Sequence, residues 1–106
     1  MRKNILIALF FVSLSGCTAS HYVERKPASL TLYLRLPEAS RIQFASSLDN
    51  YFLHDAFQSR SGVWEVTLPA GSEFAYFYIV DGAPFLPECR FKETDDFGSE
   101  NCLYLP

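Results

Sequence analysis

Three cysteines, two histidines and the neighbouring Asp95 and Asp96 are the side chains of this 106-residue chain best suited to chemistry. A catalyst needs a nucleophile beside a base, two carboxylates facing one bond, or a clustered set of metal ligands. His54 and Asp55 adjoin, but consecutive residues of a strand point to opposite faces, so they do not form an acid–base pair by themselves. Asp95 and Asp96 lie in a glycine-containing loop without the ligand spacing of an EF-hand, and read as a solvated acidic turn. His21 and His54 are not at zinc-ligand spacing from Cys89 and Cys102. No glycine-rich loop is placed to cradle a phosphate. The sequence is therefore read as non-enzymatic, with no metal and no cofactor.

The first cysteine suggests a different chemistry. Met1, Arg2 and Lys3 give a short cationic start, and residues 5–12 form an apolar run that stops well short of the roughly 20 residues a membrane span requires. Then comes Leu14-Ser15-Gly16-Cys17, which resembles the lipobox of bacterial lipoproteins. The resemblance implies a signal peptide over residues 1–16, a diacylglycerol thioether on Cys17, and acylation of the amine freed by cleavage. Several acyl chains give stable anchoring where one does not. Thr18 in place of aspartate implies sorting to the outer membrane. The alternative is ordinary cleavage after Ser15, leaving a free thiol. Residues 17–27, with His21, Glu24, Arg25 and Lys26, read as a polar, lipidated tether.

The chain carries nine Lys and Arg against twelve Asp and Glu, a formal charge of −3 that becomes −5 once Arg2 and Lys3 leave with the leader. Such a balance disfavours nucleic acid as a partner. Export places Cys89 and Cys102 in an oxidising compartment, where a disulfide between them is expected; two buried free thiols are the alternative. A crosslink of that span would add about 3 kcal/mol in the chain-entropy model, useful to a domain with a limited core.

The elements that must position these groups read as strands. Leu30, Leu32, Leu34 and Leu36 alternate with Thr31, Tyr33 and Arg35, the period of a half-buried strand. Residues 41–45 offer a second, with Ile42 and Phe44 inward. Residues 63–68 set Trp64, Val66 and Leu68 on one face. Residues 74–80 are apolar on both faces, so the outer one, with Ala75, Phe77 and Ile79, is either central or covered by something. Asp81-Gly82 is a strong turn signal, and a last strand spans about residues 101–105. No helical period is sustained. Short strands between turns predict one domain over residues 28–106, an antiparallel β-sandwich.

Three stretches, in order, resemble the glycogen-binding module of AMP-activated protein kinase β subunits and of glycogen branching and debranching enzymes. They are Val63-Trp64-Glu65-Val66-Thr67-Leu68-Pro69-Ala70-Gly71, Phe74-Ala75-Tyr76-Phe77-Tyr78-Ile79-Val80-Asp81-Gly82, and Asp95-Asp96-Phe97-Gly98-Ser99-Glu100-Asn101. The resemblance covers about 75 residues and implies an early-set immunoglobulin-like fold. Those modules stack sugar rings on two tryptophans, assisted by a lysine, a loop aliphatic residue and an asparagine. Carried over, the tryptophan positions fall on Tyr51 and near Phe85, the lysine becomes Phe77, the loop position holds Phe97, and the asparagine is kept as Asn101. Trp64 occupies a core position in the pattern. The implied function is a membrane-anchored carbohydrate-binding module of the cell envelope, recognising an α-glucan or another glycan. The alternative is an accessory lipoprotein that docks an envelope protein through Ala75, Phe77 and Ile79. A platform of Tyr51, Phe85 and Phe97 around Asn101 would favour sugar, and a wide flat apolar patch would favour protein.

Overall fold

The computed structural model describes residues 20–60 and 62–106; the expected signal peptide over residues 1–16 and the expected lipidation site, Cys17, lie outside them. Ten strands follow in order: β1 (Ser20–Arg25), β2 (Ser29–Arg35), β3 (Ile42–Ser46), β4 (His54–Asp55), β5 (Phe57–Arg60), β6 (Val63–Pro69), β7 (Phe74–Val80), β8 (Ala83–Phe85), β9 (Lys92–Thr94) and β10 (Glu100–Tyr104), with a short 3-10 turn at Ser47–Asp49. They form two antiparallel sheets, β1-β2-β6-β5 and β4-β3-β7-β10-β9, with β8 also paired to β7. The fold is an all-β, immunoglobulin-like sandwich, as the strand pattern predicts.

The period of two places the core. Leu30, Leu32 and Leu34 face Leu68, Val66 and Trp64 across the β2–β6 ladder, and all three leucines are at most 1% exposed. Full burial of each such side chain stabilises by about 1.5–3 kcal/mol. From the other sheet come Ile42, Phe44, Phe74, Tyr76, Tyr78 and Cys102. Trp64 is buried, and its indole N–H donates to the Leu36 carbonyl at 3.3 Å, so its place is the core, as expected.

Turns set the register. Asp81 and Gly82 both have positive φ (49° and 87°) and make the two-residue loop that pairs Val80 with Ala83. The Asp81 carboxylate also accepts from the N–H groups of Ser40 (2.9 Å) and Arg41 (2.7 Å), which fixes the entry to β3. Gly62 has φ 78°, and a Cβ there would stand 3.2 Å from the Pro37 ring, so only glycine lets the chain close on Pro37. Cys89 and Cys102 form the expected disulfide, with Cα atoms 5.8 Å apart, tying the connection after β8 to β10.

One boundary is corrected. Residues 20–25, expected within the polar tether, form β1 along the whole of β2, from Ser20 opposite Arg35 to Arg25 opposite Leu30. The ladder overrides composition: an edge strand needs backbone partners more than an apolar face. Tyr22 stacks on Tyr33 at 4.8 Å, and the Tyr33 hydroxyl donates to Glu24 at 2.9 Å. Residues 20–25 are thus part of the sandwich rather than of a tether.

Candidate functional site

The outer face of the β3–β7–β10–β9 sheet is built from residues one step out of phase with the core. Because Cys102 lies opposite Tyr76 and faces inward, Asn101 faces outward beside Phe77. Asn101 is itself opposite Glu93, and Phe77 is opposite Ala45. A row of Glu93, Asn101, Phe77 and Ala45 therefore crosses this face, while Lys92, opposite Cys102, belongs to the other side.

Two loops close over the row. Ser46 caps the 3-10 turn, its hydroxyl accepting from Leu48 N–H at 3.3 Å. The chain then passes through two consecutive left-handed residues, Asn50 (φ 65°) and Tyr51 (φ 62°). That conformation is rare for an aromatic residue and costs on the order of 1–2 kcal/mol. It is held by the Tyr51 N–H donating to the Ser46 carbonyl at 2.7 Å, and it lays the Tyr51 ring over Phe77, centroids 5.9 Å apart and planes 19° from parallel.

The second loop is organised by Asp95, whose carboxylate accepts from Phe97 N–H (2.9 Å) and Ser99 N–H (3.0 Å). Asp95 N–H donates to the Ser99 carbonyl (2.8 Å), and Gly98 completes the turn with φ 88°. Phe97, at the tip, is 93% exposed.

Two adjoining hollows result. One, of about 320 Å³, is lined by Tyr51, Phe77, Asp95, Asp96, Phe97 and Asn101. The other, of about 420 Å³, shares Phe77, Asp95 and Asn101 and is completed by Pro84, Phe85, Leu86, Ser99 and Glu100. Among the described residues no lysine, arginine or histidine lines either hollow. Burial first, then the negative charges of Glu93 and Asp95, push the Tyr51 phenol above its ordinary range. Asn101 is only 7% exposed. None of the hydrogen bonds among the described residues uses its side chain, and no side-chain oxygen or nitrogen there is both sealed from solvent and unpartnered. Its amide therefore presents to the trough.

Tyr51, Phe97 and Asn101 thus come together, with Phe77 as their floor. Phe77 follows from the outward phase of residues 74–80, which in sequence places it on the docking face and, by the resemblance, where the modules carry a lysine, rather than beneath a stacking ring. Phe85, opposite Tyr78 in the β7–β8 hairpin, is half-buried against the core, and its remaining surface lines the second hollow with Phe77 and Asn101. The flat Ala75–Phe77–Ile79 face is also corrected. Ala75 is 3% exposed, its N–H donating to the Ser47 hydroxyl at 3.0 Å beneath the 3-10 turn, and Phe77 and Ile79 are half-covered.

His54 and Asp55 do not pair with each other. His54 Nε2 engages the Asp49 carboxylate, holding it below the usual carboxylate range, and Arg41 Nε donates to Asp55 at 3.0 Å. His54, Asp49 and Asp55 border a larger cleft, about 680 Å³, between the sheets on the far side of β3. There Ser46, Asp49, His54 and Asp55 are already engaged with partners from this chain. Among the described residues no three His, Cys, Asp or Glu side chains group as metal ligands. No protein-family model matches the chain, and no curated protein matches it.

Proposed function

We propose that this protein is a lipid-anchored carbohydrate-binding module of the cell envelope, outer-membrane in location, and that the trough around Asn101 is its sugar site. The observation that carries the reading is the trough's composition: aromatic faces beside a nearly buried amide with open hydrogen-bonding capacity. The axial C–H groups of a pyranose present an apolar patch to a ring, while its hydroxyls need donors and acceptors at the edge, and Asn101 offers both. Support also comes from Tyr51, held in a strained backbone conformation that serves no core contact but aims its ring at Phe77. The docking alternative loses its flat surface, because the 3-10 turn already covers Ala75.

Anchoring gains a geometric consequence from β1. With lipid on Cys17 and Ser20 paired within the sandwich, three residue steps separate the two, a reach of at most about 10 Å. The domain then sits against the membrane surface rather than at the end of a long leash.

Calorimetry with linear and cyclic α-glucans on the wild-type protein and Tyr51→Ala tests the sugar site. Loss of the stacking ring should weaken binding by about 1–3 kcal/mol, by analogy with other ring-on-aromatic contacts. Folding should change little, since Tyr51 is 37% exposed. No heat with any glucan at roughly millimolar concentration would leave the docking role as the better reading. The anchor is tested separately. Cys17→Ser should lose palmitate labelling and membrane retention, because no thioether can form without the thiol; a labelled, membrane-retained variant would refute it.

A further inference from the structure

The two hollows differ in what they offer beyond a sugar-stacking face. Tyr51, Phe77 and Phe97 line the 320 Å³ hollow together with Asp95, Asp96 and Asn101. Glu93 stands next in the cross-strand row, opposite Asn101, and Glu100 borders the adjoining hollow. No cationic side chain of the described residues lines either. Aromatic faces carry negative charge on their π-surfaces, and carboxylates behind them strengthen the attraction for a partly desolvated cation. A phosphate, sulfate or uronate would meet only repulsion here. The Asn101 side chain, nine-tenths buried and without a protein partner among the described residues, opens into this same space, where a ligand can take the place of water as its hydrogen-bonding partner.

We infer that the hollow bounded by Tyr51, Phe77 and Phe97 takes an ammonium group, carried either by an amino sugar or by a quaternary amine. In its amino-sugar form the inference rests on the carbohydrate-binding reading above, and names the class of glycan: one with free amines. The ring of the sugar lies on Tyr51 or Phe97, the ammonium faces Asp96 and Glu93, and the Asn101 amide accepts from and donates to neighbouring hydroxyls.

The test is calorimetry on the full-length protein, solubilised in a detergent without an ammonium headgroup, at roughly pH 6 so that amines are charged. Four probes are compared: glucosamine oligomers, the same oligomers N-acetylated, neutral glucose oligomers, and choline chloride. The glucosamine oligomers should bind at least about tenfold more tightly than their acetylated counterparts. Glu93→Gln with Asp96→Asn should erase that preference, and added salt should narrow it. Asp95 is left intact because its carboxylate holds the loop. Neutral or acetylated oligomers binding as well as glucosamine oligomers would overturn the ammonium inference and leave the glycan reading standing. Choline binding with every saccharide inert would keep the ammonium site and overturn the glycan reading. Silence from all four probes overturns both.

Discussion

Phe44→Ala should cost the domain about 3–5 kcal/mol, the range for removing a buried phenyl ring from a core that cannot collapse around the void. Phe44 is 1% exposed. Its ring meets Tyr78 edge-on at 5.5 Å, Tyr76 at 5.6 Å and Phe74 edge-on at 6.5 Å, so it is the common neighbour of the three inward aromatics of β7. Deleting it removes several aromatic contacts at once, and the β3–β7 ladder, in which Phe44 lies opposite Tyr78, restrains the backbone from closing the gap. A domain of this size is stable by only about 4–13 kcal/mol in total. The variant should therefore lose more than about 10 °C in thermal midpoint, whereas Phe44→Leu, which keeps much of the volume, should lose far less. Urea titration of the two variants beside the wild type decides it. A cost below about 1 kcal/mol for the alanine would show that the inward aromatics do not form the centre of the core.

The same aromatics show what the sequence makes legible and what it hides. The leucines of β2 are readable because one face is buried and the other wet, so alternation survives in composition. On β7 both faces are apolar, and alternation alone cannot say which is core. The answer lies in a distant segment, the Ser46–Tyr51 turn that covers Ala75 and Phe77, and whose left-handed Tyr51 no propensity announces. Phe85 is the opposite case. The two-residue Asp81-Gly82 loop fixes Tyr78 opposite Phe85, so counting outward from the turn places Phe85 on the core side. Its remaining surface still reaches the hollow beside Asn101. Asn101 is supplied by the family resemblance alone, and the structure sets it one step out of phase with the inward Cys102. The β1 strand was hidden because an edge strand takes its stability from its neighbour: Tyr22 and Glu24 point outward, the other phase carries His21, Val23 and Arg25, of which only His21 is partly covered, and nothing in that order resembles a buried face.

That inward histidine gives the other large effect. His21 lies opposite Leu34 on β1, facing the interior between Tyr76 and Tyr78, each ring centroid 5.7 Å away, with Nε2 3.1 Å from the Tyr78 hydroxyl. The groove over it is bordered by Tyr22, Cys89, Phe91 and Tyr104, with Glu88 and Arg90 as its charged members. Burial among these rings lowers the imidazole from 6.5 to about 4. Protons therefore bind the unfolded chain more readily than the folded one throughout that interval. Stability from keeping His21 neutral is complete above the unfolded value, falls as the pH drops below it, and stops falling once the folded value is passed. A separation of that size corresponds to about 3 kcal/mol, lost between roughly pH 6.5 and 4. His21→Phe removes the titration while keeping a ring among the tyrosines, so its stability should stay nearly level across the same window and decline only where carboxylates such as Asp49, held low by His54, begin to protonate. Urea midpoints measured at intervals from neutral pH to about pH 4 should show the wild-type curve falling away from that of the variant. Parallel curves would mean that His21 is not buried in solution and that β1 does not hold the place given to it here.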